Sequence, residues 1–132
     1  MTNLNEFYGF QQAPFTKSVA AKDLYPSHGH REAQGRLAFA LQDRSAALLT
    51  GDVGTGKSTA ARAFAQAVYR NVYAVVYRTN PHLGVSALYG EVLLDLHVEP
   101  EFGFLRLLAK LSATLHVLAR KCRYVLLVVV EA

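Results

Sequence analysis

The sequence has few of the residues that cross-link small folds through disulfides or metal ions. Its 132 residues include a single cysteine, Cys122. One cysteine cannot form an internal disulfide, and no other Cys or His lies at metal-ligand spacing from it. We expect Cys122 to be an ordinary small apolar residue of a protein in a reducing, cytoplasmic compartment. His28, His30 and His82 are not combined with carboxylates at suitable spacing, so no metal cluster is predicted.

Long apolar runs and charge of one sign are also scarce. The longest apolar run, residues 125–130, is far too short to cross a bilayer, and Asn3, Glu6 and Gln11 interrupt the apolar stretch that a signal peptide needs. The net charge of +4 is scattered along the chain, which permits nucleic-acid binding without indicating it. With 52% hydrophobic and 18% charged residues, one packed globular domain is expected.

The sequence does contain a glycine-rich string near its centre. Residues 51–58 are Gly-Asp-Val-Gly-Thr-Gly-Lys-Ser, with an apolar run before them and a helical pattern after them. The glycines let the backbone turn sharply and bring its N–H groups to phosphate oxygens, and the following helix presents its positive end. The pattern predicts a phosphate-binding (Walker A) loop for a nucleoside triphosphate.

Each residue of the loop has an expected role. Lys57 is expected to contact the β- and γ-phosphates, Ser58 to ligate Mg²⁺, and Thr59 to make a weaker contact with the α-phosphate. The remaining nucleotide-binding residues are Gly51, Asp52, Val53, Gly54, Thr55 and Gly56. A chance glycine-rich turn that only caps a helix is the alternative, and the flanking strand and helix patterns argue against it. ATP and Mg²⁺ are the predicted ligands.

The rest of the chain alternates patterns typical of strands and helices. Residues 1–27 mix aromatic residues with proline and are predicted to form an irregular arm that packs on the domain through its aromatic rings. Buried strands are predicted at 46–50, 73–78 and 124–130, and helices at 30–43, 58–69, 85–96 and 104–121. Most of the Tyr and Phe residues are expected in the core. This order predicts an α/β fold, with a parallel sheet covered by helices.

A carboxylate after the last strand is a second candidate for chemistry. Phosphoryl transfer needs one carboxylate for Mg²⁺ and another that orients the attacking water, commonly at the end of a neighbouring strand. Glu131 is placed for the second role as a catalytic residue, while Val130 stands where a metal-binding aspartate is expected. An isopropyl group cannot ligate Mg²⁺. The alternative for Glu131 is a solvated acidic residue near the end of the sequence.

Several short strings outside the loop are more selective than the loop itself. They are Phe7-Tyr8-Gly9-Phe10, Pro14-Phe15, Leu24-Tyr25-Pro26-Ser27, His30-Arg31-Glu32-Ala33, Asn80-Pro81 and the run from Leu126 to Ala132. Together with residues 48–58 they resemble the ExeA-like AAA ATPases, a group that includes the general-secretion-pathway ATPase and helper ATPases encoded beside bacterial transposases. The resemblance covers nearly the whole chain, with 1–27 as an arm and 28–132 as part of an AAA-type P-loop ATPase domain.

The resemblance implies Mg²⁺-dependent ATP hydrolysis by an oligomer and, in the transposon branch, binding of DNA and regulation of a transposase. Residues 51–58 correspond to the Walker A loop, and Glu131 to the Walker B glutamate. The sheet order of that family also implies a later strand between the loop strand and the Walker B strand. We therefore expect residues 46–50 to lack a neighbour, and the chain to be a truncated, marginally stable copy of the domain.

Three functions remain open at this stage. The first is an ATPase of the transposition-helper or secretion type. The second is a non-hydrolysing, nucleotide-dependent interaction module, which the valine at position 130 favours. The third is a P-loop GTPase or small-molecule kinase. The sequence has no Asn-Lys-x-Asp string for reading guanine, which argues against a GTPase.

Overall fold

The computed structural model describes residues 3–16, 19–79 and 84–131. The helices and strands follow in the order α1 (Leu4–Tyr8), a 3₁₀ turn (Ala21–Asp23), α2 (His28–Asp43), α3 (Lys57–Ala67), β1 (Tyr73–Thr79), α4 (Val85–Asp95), α5 (Phe104–Arg120) and β2 (Tyr124–Val130). The four predicted long helices and two of the three predicted strands are confirmed, with ends that differ by one or two residues. The predicted Asn80-Pro81 breaker lies outside the described residues.

The sheet of the described chain consists of β1 and β2, which run parallel from the pair Tyr73 and Tyr124 to the pair Thr79 and Val130. Parallel neighbours need a long connection between them, and α4 and α5 provide it here. Both strands are rich in Val, Leu and Tyr, residues that suit a pleated and half-buried surface. The observed architecture is the predicted α/β arrangement.

The core lies between the sheet and the two connecting helices. Its buried members are Val76 of β1, Val92 and Leu93 of α4, and Leu107 and Leu111 of α5. Leu93 has no exposed surface and Val76 is 1% exposed. On α3 the buried residues are Ala60, Ala63, Phe64 and Ala65. The helical spacing of the apolar residues predicted the buried face of α3 through Phe64 and Ala65, but on α5 only Leu111 of the predicted face is buried, because Leu105, Leu108 and Leu115 are exposed.

An ion-pair cluster fixes α4 to the end of β1. The Arg78 guanidinium contacts the carboxylates of Glu91 at 2.8 Å and Asp95 at 2.7 Å. The hydrogen bond to Asp95 raises the pKa of Arg78 above its ordinary value. The cluster lies at the carboxyl end of β1, and the carboxyl ends of the strands are the edge at which parallel sheets carry their sites.

The predicted strand at 46–50 is wrong. These residues have no regular secondary structure, and Leu48 is 88% exposed where burial on both faces was expected. A strand is held by ladder hydrogen bonds to a neighbour, and within the described ranges nothing pairs with this segment. The expectation that residues 46–50 lack a neighbour is confirmed, and it explains the missing strand.

The arm differs from its prediction in two ways. It contains the short helix α1, which the Asn3 side chain caps and which ends at Gly9 with φ 68°, and the 3₁₀ turn. Its aromatic side chains are exposed rather than packed on the domain: Phe7 69%, Tyr8 63%, Phe10 44%, Phe15 98% and Tyr25 84%. Rings of the arm contact one another instead, with Phe7 and Tyr8 4.9 Å apart. A polar contact, from Arg62 to the Val19 carbonyl at 3.0 Å, joins the arm to α3.

The expectation that most Tyr and Phe residues lie in the core is also wrong. Among the Tyr and Phe residues that the structure describes, only Phe64 is buried. The strand tyrosines Tyr73 and Tyr124 are half-buried, and Phe39, Tyr69 and Phe102 are exposed. Two parallel strands bury too little surface to enclose many large rings.

Candidate nucleotide-binding site

The glycine-rich string forms a turn that leads directly into α3. Gly54 and Gly56 have φ values of 84° and 89°, a left-handed region that suits glycine and strains other residues. Gly56 is the N-cap of α3 and has no side chain to accept a hydrogen bond. The first-turn N–H groups of α3 therefore have no capping side chain and can bind an anion.

Lys57 is held by the loop that precedes it. Its ammonium donates to the carbonyl oxygens of Gly51 at 2.5 Å and Asp52 at 2.7 Å. The Thr55 hydroxyl donates to the Asp52 carbonyl at 2.8 Å, and the Thr55 N–H donates to it at 3.3 Å. These contacts close residues 51–57 into a compact loop with a cation on its inner side.

Gly51 also has a steric reason to be glycine. A Cβ atom at this position would lie 3.1 Å from Thr55 Oγ1 and 3.6 Å from the Lys57 side chain. The first contact is tighter than an ordinary van der Waals distance, so a side chain at position 51 would push the Thr55 hydroxyl away from the Asp52 carbonyl. Gly51, Gly54 and Gly56 are therefore each required by the shape of the loop.

Five of the predicted site residues lie along one cleft: Gly51, Val53, Lys57, Ser58 and Glu131. The cleft has a volume of about 1290 Å³, and Lys57, Ser58 and Glu131 line it. Residues 45–51, α2 and α3 form one side, and β2 with part of α5 forms the other. Lys57, the expected Mg²⁺ ligand Ser58 and the candidate catalytic residue Glu131 thus line the same cleft, although 72 residues lie between Ser58 and Glu131 in the chain. Thr59, the predicted α-phosphate contact, is half-buried on α3 and does not line the cleft.

The end of β2 carries the predicted valine–glutamate pair. Val130 is 9% exposed and pairs with Thr79 of β1, while Glu131 is exposed. Among the described residues there is no cluster of three or more His, Cys, Asp and Glu that could hold a metal ion. Ser58 and Glu131 supply one hydroxyl and one carboxylate to the cleft. That donor set fits Mg²⁺ bound to nucleotide phosphates, which provide most of its ligands, and does not fit the metal alone.

Arg44 is a cleft residue that no sequence pattern indicated. It follows α2 in a left-handed conformation with φ 56°, and its guanidinium lies 3.9 Å from the centre of the Tyr124 ring. Both residues line the cleft. Because Tyr124 begins β2 and Glu131 follows its last residue, this cation–π contact lies at the end of the strand away from Glu131. Only the tertiary structure brings residues 44 and 124 together.

None of the described helices is both long enough and apolar enough to span a membrane. The longest, α5, has 17 residues and carries the basic residues Arg106, Lys110 and Arg120.

Comparison with known proteins adds family information to this geometry. A model of the AAA domain matches residues 40–132, which include the loop, Glu131 and all of the cleft lining except Leu37. General secretion pathway protein A from Aeromonas hydrophila is 40% identical over 79 residues, which cover 59% of this chain and 14% of that relative. The chain thus spans a small part of the relative's length. No solved structure matches.

Proposed function

The chain belongs to the AAA domain family, and from that premise we propose that it binds ATP with Mg²⁺ through residues 51–59. Nucleotide binding and ATPase activity are the properties of this family. The observation that carries the proposal is the shared cleft, which Lys57 and Ser58 line together with Glu131. A glycine turn that only capped a helix would need neither the cation nor the carboxylate.

Each group of the loop has a task in binding. The N–H groups of the loop and of the first turn of α3 bind phosphate oxygens, and Lys57 places positive charge beside the β- and γ-phosphates. The Ser58 hydroxyl provides one metal ligand. When bound, Mg²⁺ neutralises charge on the phosphate oxygens. Because α3 begins at Lys57, Lys57 and Ser58 are the first two residues of the helix that follows the loop.

For hydrolysis we propose that Glu131 accepts a proton from the attacking water or orients it. The support for this role is that Glu131 and Ser58 line the same cleft and that Glu131 follows the last residue of β2. Val130 supplies no carboxylate for the metal, which leaves Ser58 and the phosphates to hold it. This valine supports the second candidate, a nucleotide-dependent interaction module that does not hydrolyse ATP.

We propose a transposition-helper ATPase as the biological role, with a transposase, DNA and further copies of the chain as partners. The support for this role is the resemblance of the arm and loop strings to the ExeA-like helper ATPases. A secretion-pathway role is the alternative, supported by the similarity to a general secretion pathway protein. A transposase reading frame beside the coding locus would favour the first role, and secretion genes would favour the second.

The test is an equilibrium titration of the purified chain with Mg-ATP by calorimetry. Lys57→Ala removes the loop cation, and Lys121→Ala removes a lysine at the end of α5 as a matched control. We expect saturable binding by the wild type and by Lys121→Ala, and a loss of at least tenfold in affinity for Lys57→Ala, because charge-assisted bonds to phosphate are worth about 1.5–3 kcal/mol. Equal binding by all three proteins, or none by the wild type, would refute the proposal. A clear preference for GTP would favour the GTPase or kinase alternative.

A further inference from the structure

We propose that Thr55 is a positioning residue for nucleotide binding: its hydroxyl holds the Asp52 carbonyl in place when Lys57 turns to the phosphates. The inference rests on the proposed function and deepens it, since it assigns a role to a side chain in a motif where backbone groups, Lys57 and Ser58 are expected to do the binding. It is carried by the hydrogen bonds of residues 51–57.

The first step concerns the donors of Lys57. An ammonium group has three N–H donors, and in this structure two of them are directed at the Gly51 and Asp52 carbonyls. One donor is left. A lysine that contacts both the β- and the γ-phosphate needs two donors, so at least one carbonyl bond must be given up when a triphosphate binds.

The second step concerns the carbonyl that accepts most donors. The Asp52 oxygen accepts from Lys57 Nζ at 2.7 Å, from Thr55 Oγ1 at 2.8 Å and from the Thr55 N–H at 3.3 Å. A carbonyl oxygen has two lone pairs, so these three donors compete. The bond from Lys57 to Asp52 is therefore the one whose loss costs least, because the Thr55 hydroxyl remains as a short bond and keeps the Asp52 carbonyl satisfied after Lys57 turns to the phosphates.

The two steps predict whether removal of the Thr55 hydroxyl weakens or strengthens nucleotide binding. In the free loop the Asp52 carbonyl has Lys57 as a second strong partner, so loss of the Thr55 hydroxyl is partly compensated. In the bound loop that partner is gone, and the same loss leaves only the long N–H bond. Removing the hydroxyl therefore costs the bound state more than the free state, and the affinity for nucleotide falls. A hydroxyl that served only the free loop would have the opposite effect.

The test compares Thr55→Val, Thr55→Ala and Thr55→Ser in Mg-ATP titrations of the full chain. Valine has the shape of threonine without the hydroxyl, alanine removes the branch as well, and serine keeps the hydroxyl. The matched control is Thr114→Val, since Thr114 on α5 donates to the Lys110 carbonyl at the same 2.8 Å and lies outside the cleft lining. Melting curves of the free proteins accompany each titration.

We expect Thr55→Val and Thr55→Ala to bind Mg-ATP about fivefold more weakly than wild type, as one net hydrogen bond implies. Thr55→Ser should stay within about twofold, and Thr114→Val should bind as wild type does. Unchanged or tighter binding by Thr55→Val and Thr55→Ala, or no rescue by serine, would overturn the inference while leaving the proposed function intact. Absence of binding by the wild type would refute both the inference and the proposed function. Weakened binding by Lys57→Ala together with unchanged binding by Thr55→Val would refute the inference alone.

Discussion

The guanidinium of Arg44 lies 3.9 Å from the centre of the Tyr124 ring. Arg44 follows the last residue of α2, and Tyr124 is the first residue of β2. The contact therefore joins the two sides of the cleft, although residues 46–50, which come directly after Arg44 and Ser45, form no ladder with β2. A side-chain contact connects the phosphate-loop segment to the sheet where backbone pairing does not.

The first prediction is that Arg44 and Tyr124 are energetically coupled. A cation–π contact contributes about 0.5–1 kcal/mol at exposed sites and more when desolvated. Urea unfolding of Arg44→Ala, Tyr124→Leu and the double variant should give a coupling free energy of about that size. Arg44→Lys should keep only part of it, since lysine stacks less well than arginine. Strict additivity of the two single variants would show that the contact has no energetic role.

The second prediction contrasts two adjacent leucines on α4. Leu93 has no exposed surface, whereas Leu94 is 58% exposed. Leu93→Ala should lower the free energy of unfolding by about 2–5 kcal/mol, because it removes buried atoms and leaves a cavity. Leu94→Ala should change it by less than about 0.5 kcal/mol. Similar losses for the two variants in urea melts would mean that α4 does not pack with the face described.

The third prediction uses two glycines in different conformations. Gly56 has φ 89°, so Gly56→Ala places a Cβ in a strained region and should destabilise the chain by about 1–2 kcal/mol. Gly35 lies inside α2 with open space around it. Gly35→Ala should therefore stabilise by about 0.5–1 kcal/mol. Thermal melts would measure both, and the idea fails if the two substitutions shift the melting temperature in the same direction.

The fourth prediction separates binding from hydrolysis at Glu131. Glu131→Gln keeps the shape of the side chain and removes its basicity. Turnover of Mg-ATP, measured as phosphate release, should fall by about 10²–10⁴-fold, the usual contribution of a general base, while the dissociation constant for Mg-ATP stays within about twofold. Equal and measurable phosphate release by wild type and variant would exclude a catalytic role for this carboxylate, and no release above background by the wild type would favour the non-hydrolysing module.

The fifth prediction concerns the missing metal ligand at position 130. Val130 is 9% exposed and Val129 is 43% exposed. Val130→Asp therefore changes a buried position, and Val129→Asp changes an exposed position as its control. Without nucleotide, Val130→Asp should cost about 1–3 kcal/mol of stability, as expected for a buried polar group, and Val129→Asp should cost much less. If the valine limits catalysis, Val130→Asp alone raises Mg²⁺-dependent phosphate release. A matching rise with Val129→Asp would point to a nonspecific effect of charge.

Local patterns predicted most of the regular structure. The three- and four-residue spacing of leucine and alanine in α3, α4 and α5 specified helices, because side-chain period and helix period coincide. It did not specify the buried face of α5, where Leu107 is buried and Leu105 is 79% exposed. The β-branched runs of β1 and β2 specified strands for a similar reason. The same argument failed at residues 46–50, whose apolar character favours a strand but whose ladder partner is absent from the described sheet.

The sequence by itself determined the phosphate-binding candidate, since the glycines, Lys57 and Ser58 are neighbours in the chain and act through local backbone geometry. It also placed Glu131 after a strand. Only the tertiary structure decided that Glu131 lines the same cleft as Ser58, that Arg44 stacks on Tyr124, and that the aromatic arm stays exposed. These features join residues distant in sequence or depend on how much surface a two-stranded sheet can bury, and no local pattern encodes either quantity.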